Sequence, residues 1–331
     1  MLNRGEDNLR QRINLIILLI SLCFFVTSVS SAGEYVTSDE HVYDIRYLVE
    51  VQNTGEPALN YKLKFPVFLT QKLPPYQKVF SFKVYHHRIK LLKHRNETTA
   101  QLSLRKLAPH QRVKLEIRYT LVNSAIRFTP EPVPAEEYTN LVYLKPDIGI
   151  ESDHLTIVSL AENITAGDNM PLEKAKRLFE YVNTNLKYQP LTAIPHSALK
   201  TLERGNGSCE DFSLLYIALC RAVGIPARFI SGYRFDPGKI GKKEVDLDQF
   251  AHAWVEIYLP DTGWIPVEPT FTYIENGVKR INYDFFGRIL SEDRHLFFSY
   301  CRQQERSASW NYETPNPTDV VTKFRVLIRR R

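Results

Sequence analysis

The chain has 331 residues, 44% of them hydrophobic, with 14 glycines and 19 prolines, which suits one or two globular domains with a sizeable core. Its net charge is +6, and basic and acidic residues are interspersed, so a dedicated nucleic-acid groove is excluded in favour of a solvated surface. No phosphate-binding loop, dinucleotide fingerprint or paired-cysteine metal motif occurs, which sets aside the nucleotide-dependent and zinc-ribbon classes.

Arg10 and Arg12 precede an apolar run at residues 13–29, and Ser30-Ser31-Ala32 follows it. This is the layout of a signal peptide or of a short membrane anchor over residues 1–32, so export is expected, to the periplasm, the cell surface or the medium. Cys23 is a poor lipoprotein site, because bulky Leu22 precedes it and Phe24-Phe25 continue the apolar run. Residues 42–51 and 59–65 then alternate as strands, divided by Asn53-Thr54-Gly55-Glu56-Pro57. Further strands are expected at 79–92, 98–104 and 112–121. Regular strands with turn signals predict an immunoglobulin-like β-sandwich over residues 34–130. His86-His87 falls within one of these stretches and reads as exposed strand surface rather than a metal site. Pro130, Pro132 and Pro134 mark a boundary, and residues 140–331 form the second region.

That region opens with a helix begun by Pro171, whose apolar face holds Leu172, Ala175, Leu178, Phe179, Val182 and Leu186. A short helix at 198–203 leads into Gly207-Ser208-Cys209-Glu210-Asp211. Phe212, Leu215, Tyr216, Leu219 and Val223 follow with helical spacing, and Gly224 and Pro226 end the run. Ser208 and Asp211 have the form of a capping box, which puts Cys209 in the first helical turn. There, unpaired amides and the helix dipole favour a thiolate. Glu210 and Asp211 oppose this if they face the sulfur, so a positive neighbour is needed. Cys220, mid-helix and among apolar residues, reads as core; so do most free cysteines, Cys209 included when taken alone.

Residues 226–235 form a strand, and a polar loop at 239–248 is placed to gate a cleft. In the next strand, residues 250–258, alternation sets His252, Trp254, Glu256 and Tyr258 on one face. Pro260-Asp261-Thr262-Gly263 turns the chain back. If Tyr258 pairs with Trp264, Glu268 falls on the face of His252 and diagonal to it; a shift by one residue sends it to the other face. Glu256 is a rival orienter of His252 with poorer reach. The bland alternative is a packed histidine and an exposed acid. Asn276-Gly277 marks a further turn, and residues 296–300 and 320–328 read as strands before a solvated Arg329-Arg330-Arg331 tail.

Four cysteines, one of them Cys23, leave three in an exported chain, so one thiol stays free. Cys220–Cys301 pairing is arithmetically open, although Cys220 already fits the core. Asn96, Asn163 and Asn206 begin glycosylation sequons that matter only in a eukaryotic secretory route.

Residues 207–211, 215–233, 252–258 and 263–270 follow the patterns G-x-C-x-D, L-x-x-A-L-x-R-A-x-G-I-P-A-R-x-x-x-G-Y, H-A-W-x-E-x-Y and G-W-x-P-x-D-P-T. In this the chain resembles bacterial members of the transglutaminase-like superfamily, over roughly residues 170–272. The resemblance implies an α+β fold: a papain-like transglutaminase core preceded by a β-sandwich. It implies Cys209 as nucleophile, His252 as base and Glu268 as acid, where the family usually has aspartate. The longer acid is workable, since triads with glutamate occur on other folds. Tyr188, in Leu186-Lys187-Tyr188-Gln189, is the candidate side-chain oxyanion donor. The implied function is cysteine-dependent acyl transfer or amide hydrolysis on extracytoplasmic protein or peptide through a thioester, with no metal or organic cofactor and no nucleic-acid partner. The rival is a catalytically weak or inactive surface module that binds peptide or cell-wall material. Glu268 supports the rival, and the intact Cys209 and His252 oppose it.

Overall fold

The computed structural model describes residues 35–70, 73–94, 97–129, 141–190, 196–260, 262–300, 312–313 and 319–331. The signal or anchor segment, Pro130, Pro132, Pro134, Asn96 and Cys301 lie outside the described residues. Among the described residues no helix is long and apolar enough to cross a membrane.

Six strands come first: β1 (Tyr35–Asn53), β2 (Ala58–Thr70), β3 (Gln77–Tyr85), β4 (Ile89–His94), β5 (Glu97–Leu107) and β6 (Arg112–Phe128). From Tyr43 onward every second residue of β1 is buried, as a half-buried strand requires. The stretch at 79–92 is two strands rather than one. His86, with φ at +74°, turns the chain between β3 and β4, which belong to different sheets, so the His86-His87 pair sits in a bend.

The helices and remaining strands follow. They are α1 (Leu155–Ile164), α2 (Pro171–Asn185), β7 (Lys187–Tyr188), α3 (Ala198–Arg204), β8 (Asn206–Gly207), α4 (Cys209–Ala222), β9 (Ala227–Phe235) and β10 (Val245–Asp246). Then come β11 (Ala251–Leu259), β12 (Gly263–Val267), β13 (Thr272–Glu275), β14 (Val278–Ile281), β15 (Arg288–Ile289), β16 (Arg294–Ser299), β17 (Tyr312–Glu313) and β18 (Val320–Arg330).

Helix α4 is buried on all sides, not on the single face that its spacing suggests; Leu214, Ile217 and Ala218 are as enclosed as Leu215 and Leu219. The other helices cover one side and the sheet β12-β11-β9-β16 the other, the setting in which a helix apolar on all faces through its middle belongs. Gly224, at φ +83°, ends it, and the Ile225 amide donates back to the Cys220 carbonyl.

The N-terminal sandwich is completed from the far end of the chain. Its larger sheet runs β10-β18-β1-β6-β15, with β3 also on β6, and its smaller sheet runs β17-β2-β5-β4. Strand β18, expected within the second region, instead pairs along β1 from Asn53↔Val320 to Tyr43↔Arg330. It covers an edge that β1 would otherwise leave open to other chains. The division near residue 130 therefore does not separate two bodies, and Gly33–Arg331 is one compact unit. Strands β9 and β16 explain why. Tyr233, Phe235, Leu296 and Phe298 point into the sandwich core, where the Phe298 ring lies 4.5 Å from that of Phe68. The residues between them face the other way.

The loop at 239–248 is no free gate. Val245–Asp246 pairs with β18, Asp246 bonds Arg325, and Leu247 is fully buried with its amide on the Val326 carbonyl.

Candidate active site

Cys209 stands at the first turn of α4, where the leading amides have no intrahelical acceptor. The box at this helix start is built around Asp211. Its carboxylate accepts the Ser208 amide at 2.8 Å, the Ser208 hydroxyl at 2.9 Å and the Thr201 hydroxyl at 3.1 Å. Arg204 lies at 3.0 Å and His196 at 2.9 Å. Burial pushes the Asp211 carboxyl up, but His196 and the Ser208 donors outweigh it and hold it below the usual range. Asp211 thus points back into the scaffold rather than at the sulfur. Gly207 is needed for this, since a β-carbon there would lie 2.3 Å from the Asp211 β-carbon. The parallel pair β7–β8 then sets Tyr188 opposite Gly207, half exposed and within the field of Cys209 and Glu268.

The base and acid come from the β11–β12 hairpin. Its register is the one expected, Tyr258 opposite Trp264, running to Val255 opposite Val267 with Glu268 next in the chain. The Nε2 of His252 hydrogen-bonds Oε2 of Glu268. Cys209 lies close enough to the same ring to favour its charged form. Burial alone would discharge His252, but the Glu268 carboxylate foremost, with Cys209 beside it, prevails, and its pKa rises to about 10. Glu268 is pushed up by burial and pulled far below the carboxylate range by the two histidines beside it. Glu256, the rival orienter, is engaged elsewhere, accepting from Arg228 Nε at 2.8 Å and from Tyr76 at 3.4 Å.

Two contributors escaped the sequence reading. Asn183 of α2 is fully buried and donates to the carbonyls of Pro269 and Phe271, both at 3.0 Å, clamping the turn that follows Glu268. The Phe271 ring stacks on His252 at 5.5 Å. The second contributor, His295 of β16, places Nε2 at 3.3 Å from Glu268 Oε2. The only local signal for either was a polar side chain in an otherwise apolar face or strand.

His252, Glu268 and His295 bring their donor atoms within 4.8 Å of one another. A cation there would compete with the His252–Glu268 hydrogen bond.

Gly232, opposite His252 on β9, lets the sheet close around Trp254. A β-carbon at 232 would fall 2.1 Å from the Leu296 carbonyl oxygen and 2.7 Å from the Trp254 ring. Because a backbone atom cannot swing aside, Gly232→Ala is expected to cost about 4 kcal/mol or more in urea unfolding. A loss under about 1 kcal/mol would contradict this close approach.

Comparison with known proteins agrees with this architecture. Residues 158–269 match the family model of the transglutaminase-like superfamily. The uncharacterised protein YebA of Bacillus subtilis is 31% identical over 124 residues, 34% of this chain and 17% of that protein. A protein-glutamine gamma-glutamyltransferase of Pseudomonas aeruginosa is 35% identical over 80 residues, 23% of this chain and 12% of that protein. The chain thus spans less than a fifth of the length of these two relatives. A solved structure from Cytophaga hutchinsonii, provisionally described as a cysteine protease, superposes with a TM-score of 0.61 at 18% identity, covering 90% of this chain and 93% of that one. Sequence blocks, fold and family model converge: the chain carries a transglutaminase-like core joined to a strand-rich N-terminal region.

Proposed function

We propose that this protein is a cysteine acyltransferase or amide hydrolase acting on protein or peptide outside the cytoplasm. The transglutaminase-like fold points to cysteine-based acyl transfer or proteolysis. The observation that supports the finer reading is His252 hydrogen-bonded to Glu268 and close enough to Cys209 to feel it, with the thiol at a helix start.

The chemistry follows from that line of groups. The Cys209 thiolate attacks a carboxamide or peptide carbonyl. The amide at the head of α4 faces the developing oxyanion, and Tyr188 is the proposed second donor. His252, held as imidazolium, gives its proton to the departing amine, and a thioester remains. An amine or water then attacks while His252 takes its proton. Glu268 keeps its charge and holds the ring throughout. A transferase and a hydrolase working by this cycle would share its first half and differ in the acceptor, amine or water. The apolar run at residues 13–29 supports the extracytoplasmic location.

The test is to incubate the protein with a glutamine-rich protein and a fluorescent primary amine, following both amine incorporation and release of ammonia or peptides. Incorporation marks a transferase and release without incorporation a hydrolase, and iodoacetamide is expected to stop either. Turnover that survives full alkylation of Cys209 would remove it as the nucleophile, and no turnover of any amide substrate would support the binding-module alternative.

A further inference from the structure

We infer that His295 is a positioning residue of this site, a neutral donor that fixes Glu268 between two histidines and so lets a glutamate stand where a shorter acid would serve. The inference rests on the proposed Cys209–His252–Glu268 reading and adds a fourth member to it.

The sheet brings the groups together. His252 lies opposite Gly232, and His295 lies opposite Arg234, two residues along β9 and therefore on the same face. The neighbours of His295 on β16, Leu296 and then Phe298, take part in the sandwich core on or beyond the opposite face. Two buried amides from the N-terminal strands also hold β16. Asn123 donates to the His295 carbonyl at 3.0 Å and Gln77 to the Phe297 carbonyl at 3.0 Å. The strand-rich region thereby sets where His295 stands.

His295 is 1% exposed, and its Nε2 lies 3.3 Å from Glu268 Oε2. The edge of the ring meets Trp254 at 5.0 Å and His252 at 5.8 Å between centroids. The charged groups facing it are the Glu268 carboxylate, the His252 imidazolium and, more distantly, Asp293. Burial dominates and keeps the ring neutral at pH 7. A neutral imidazole has one N–H. To satisfy an ionised Glu268, that hydrogen must be on Nε2. Nδ1 is then a bare acceptor, and among the described residues it is buried without a hydrogen-bond partner.

Glutamate has one more rotatable bond than aspartate, so its carboxylate needs more holding. Thr270 donates its amide to Oε1 at 2.9 Å, while Oε2 takes His252 and His295. Without His295, Oε2 would have His252 alone, and the carboxylate could rotate away from the imidazolium it stabilises.

The experiment compares full-length wild type, His295→Gln and His295→Leu, with thermal melts confirming that each folds. Gln keeps a donor near the place of Nε2, and Leu does not. The readout is the pH dependence of iodoacetamide labelling of the Cys209 peptide, followed by mass spectrometry, which needs no substrate. Labelling at pH 6 is expected to slow by about tenfold or more in His295→Leu, the scale seen when an outer partner is removed, and to recover largely in His295→Gln. A wild-type profile in His295→Leu, or an equal loss in both variants at unchanged melting temperature, would overturn the inference. Side-chain nitrogen NMR on histidine-labelled protein separates this from failure of the underlying reading. The Nε2–H tautomer is expected at His295 whether or not Cys209 is reactive, and an Nδ1–H form or an imidazolium at pH 7 would refute the donor role by itself.

Discussion

Cys209→Ala is expected to abolish amide turnover while leaving the fold almost untouched, and Cys220→Ala to do the reverse. Removing a triad nucleophile costs on the order of 10⁶ in turnover. The Cys209 side chain is only partly buried at the helix start, so its loss should change stability by less than about 1 kcal/mol. Cys220 is fully buried in the core, and burial pushes its thiol up to about 12, so it is inert at neutral pH. Truncating it leaves a small cavity worth about 1–2 kcal/mol, with turnover retained below the melting range. Paired denaturation curves and activity assays read both effects. Equal stability losses from the two variants would make Cys209 a structural residue.

Glu268→Gln should also be strongly damaging, though less so. An amide can hold the His252 ring by a hydrogen bond but cannot stabilise its positive charge, and amide-for-acid replacement in a triad costs about 10⁴ in turnover. Glu268→Asp is expected to fall between wild type and Glu268→Gln, because a shorter acid keeps the charge but cannot reach the Thr270 amide and both histidines together. The pH dependence of stability has a definite sign. The folded pKa of Glu268 is depressed, so its contribution is present above the unfolded carboxylate value of about 4.3 and is lost as pH falls through the folded value. The stability gap between wild type and Glu268→Gln should therefore narrow in strong acid. His252 behaves oppositely. Its folded pKa, about 10, lies above the unfolded value of about 6.5, so its contribution is full below pH 6.5 and disappears as pH rises through 10. Urea titrations across pH test both signs, and an unchanged turnover in Glu268→Gln would remove that residue from the mechanism.

Much of this site was legible because its signals are local. The capping pair Ser208 and Asp211 located the start of α4. Alternation along residues 250–258 and one turn offered the register that the hairpin takes, and with it the face of Glu268, although a shift by one residue stayed open until the ladder was seen. Groups that depend on distant pairing left no such trace. Nothing near Leu296 announces that His295 would meet an acid 27 residues earlier, since that meeting is made by the β9–β16 ladder. Asp211 read as a liability to a thiolate because Arg204 and His196, which absorb its charge, approach only in the fold. The return of β18 to β1 joins residues almost 290 apart in sequence, so periodicity showed a strand at 320–328 without its address.

The most direct measurement is the rate of Cys209 alkylation by iodoacetamide as a function of pH, read on the Cys209 peptide in the full-length protein and in His252→Ala. Rapid labelling near pH 6, well below the free-thiol value of about 8.5, that disappears in His252→Ala is the expected result and means a thiolate–imidazolium pair. Labelling that rises only with an ordinary thiol titration, and that His252→Ala leaves unchanged, would contradict the pair and the cysteine mechanism built on it.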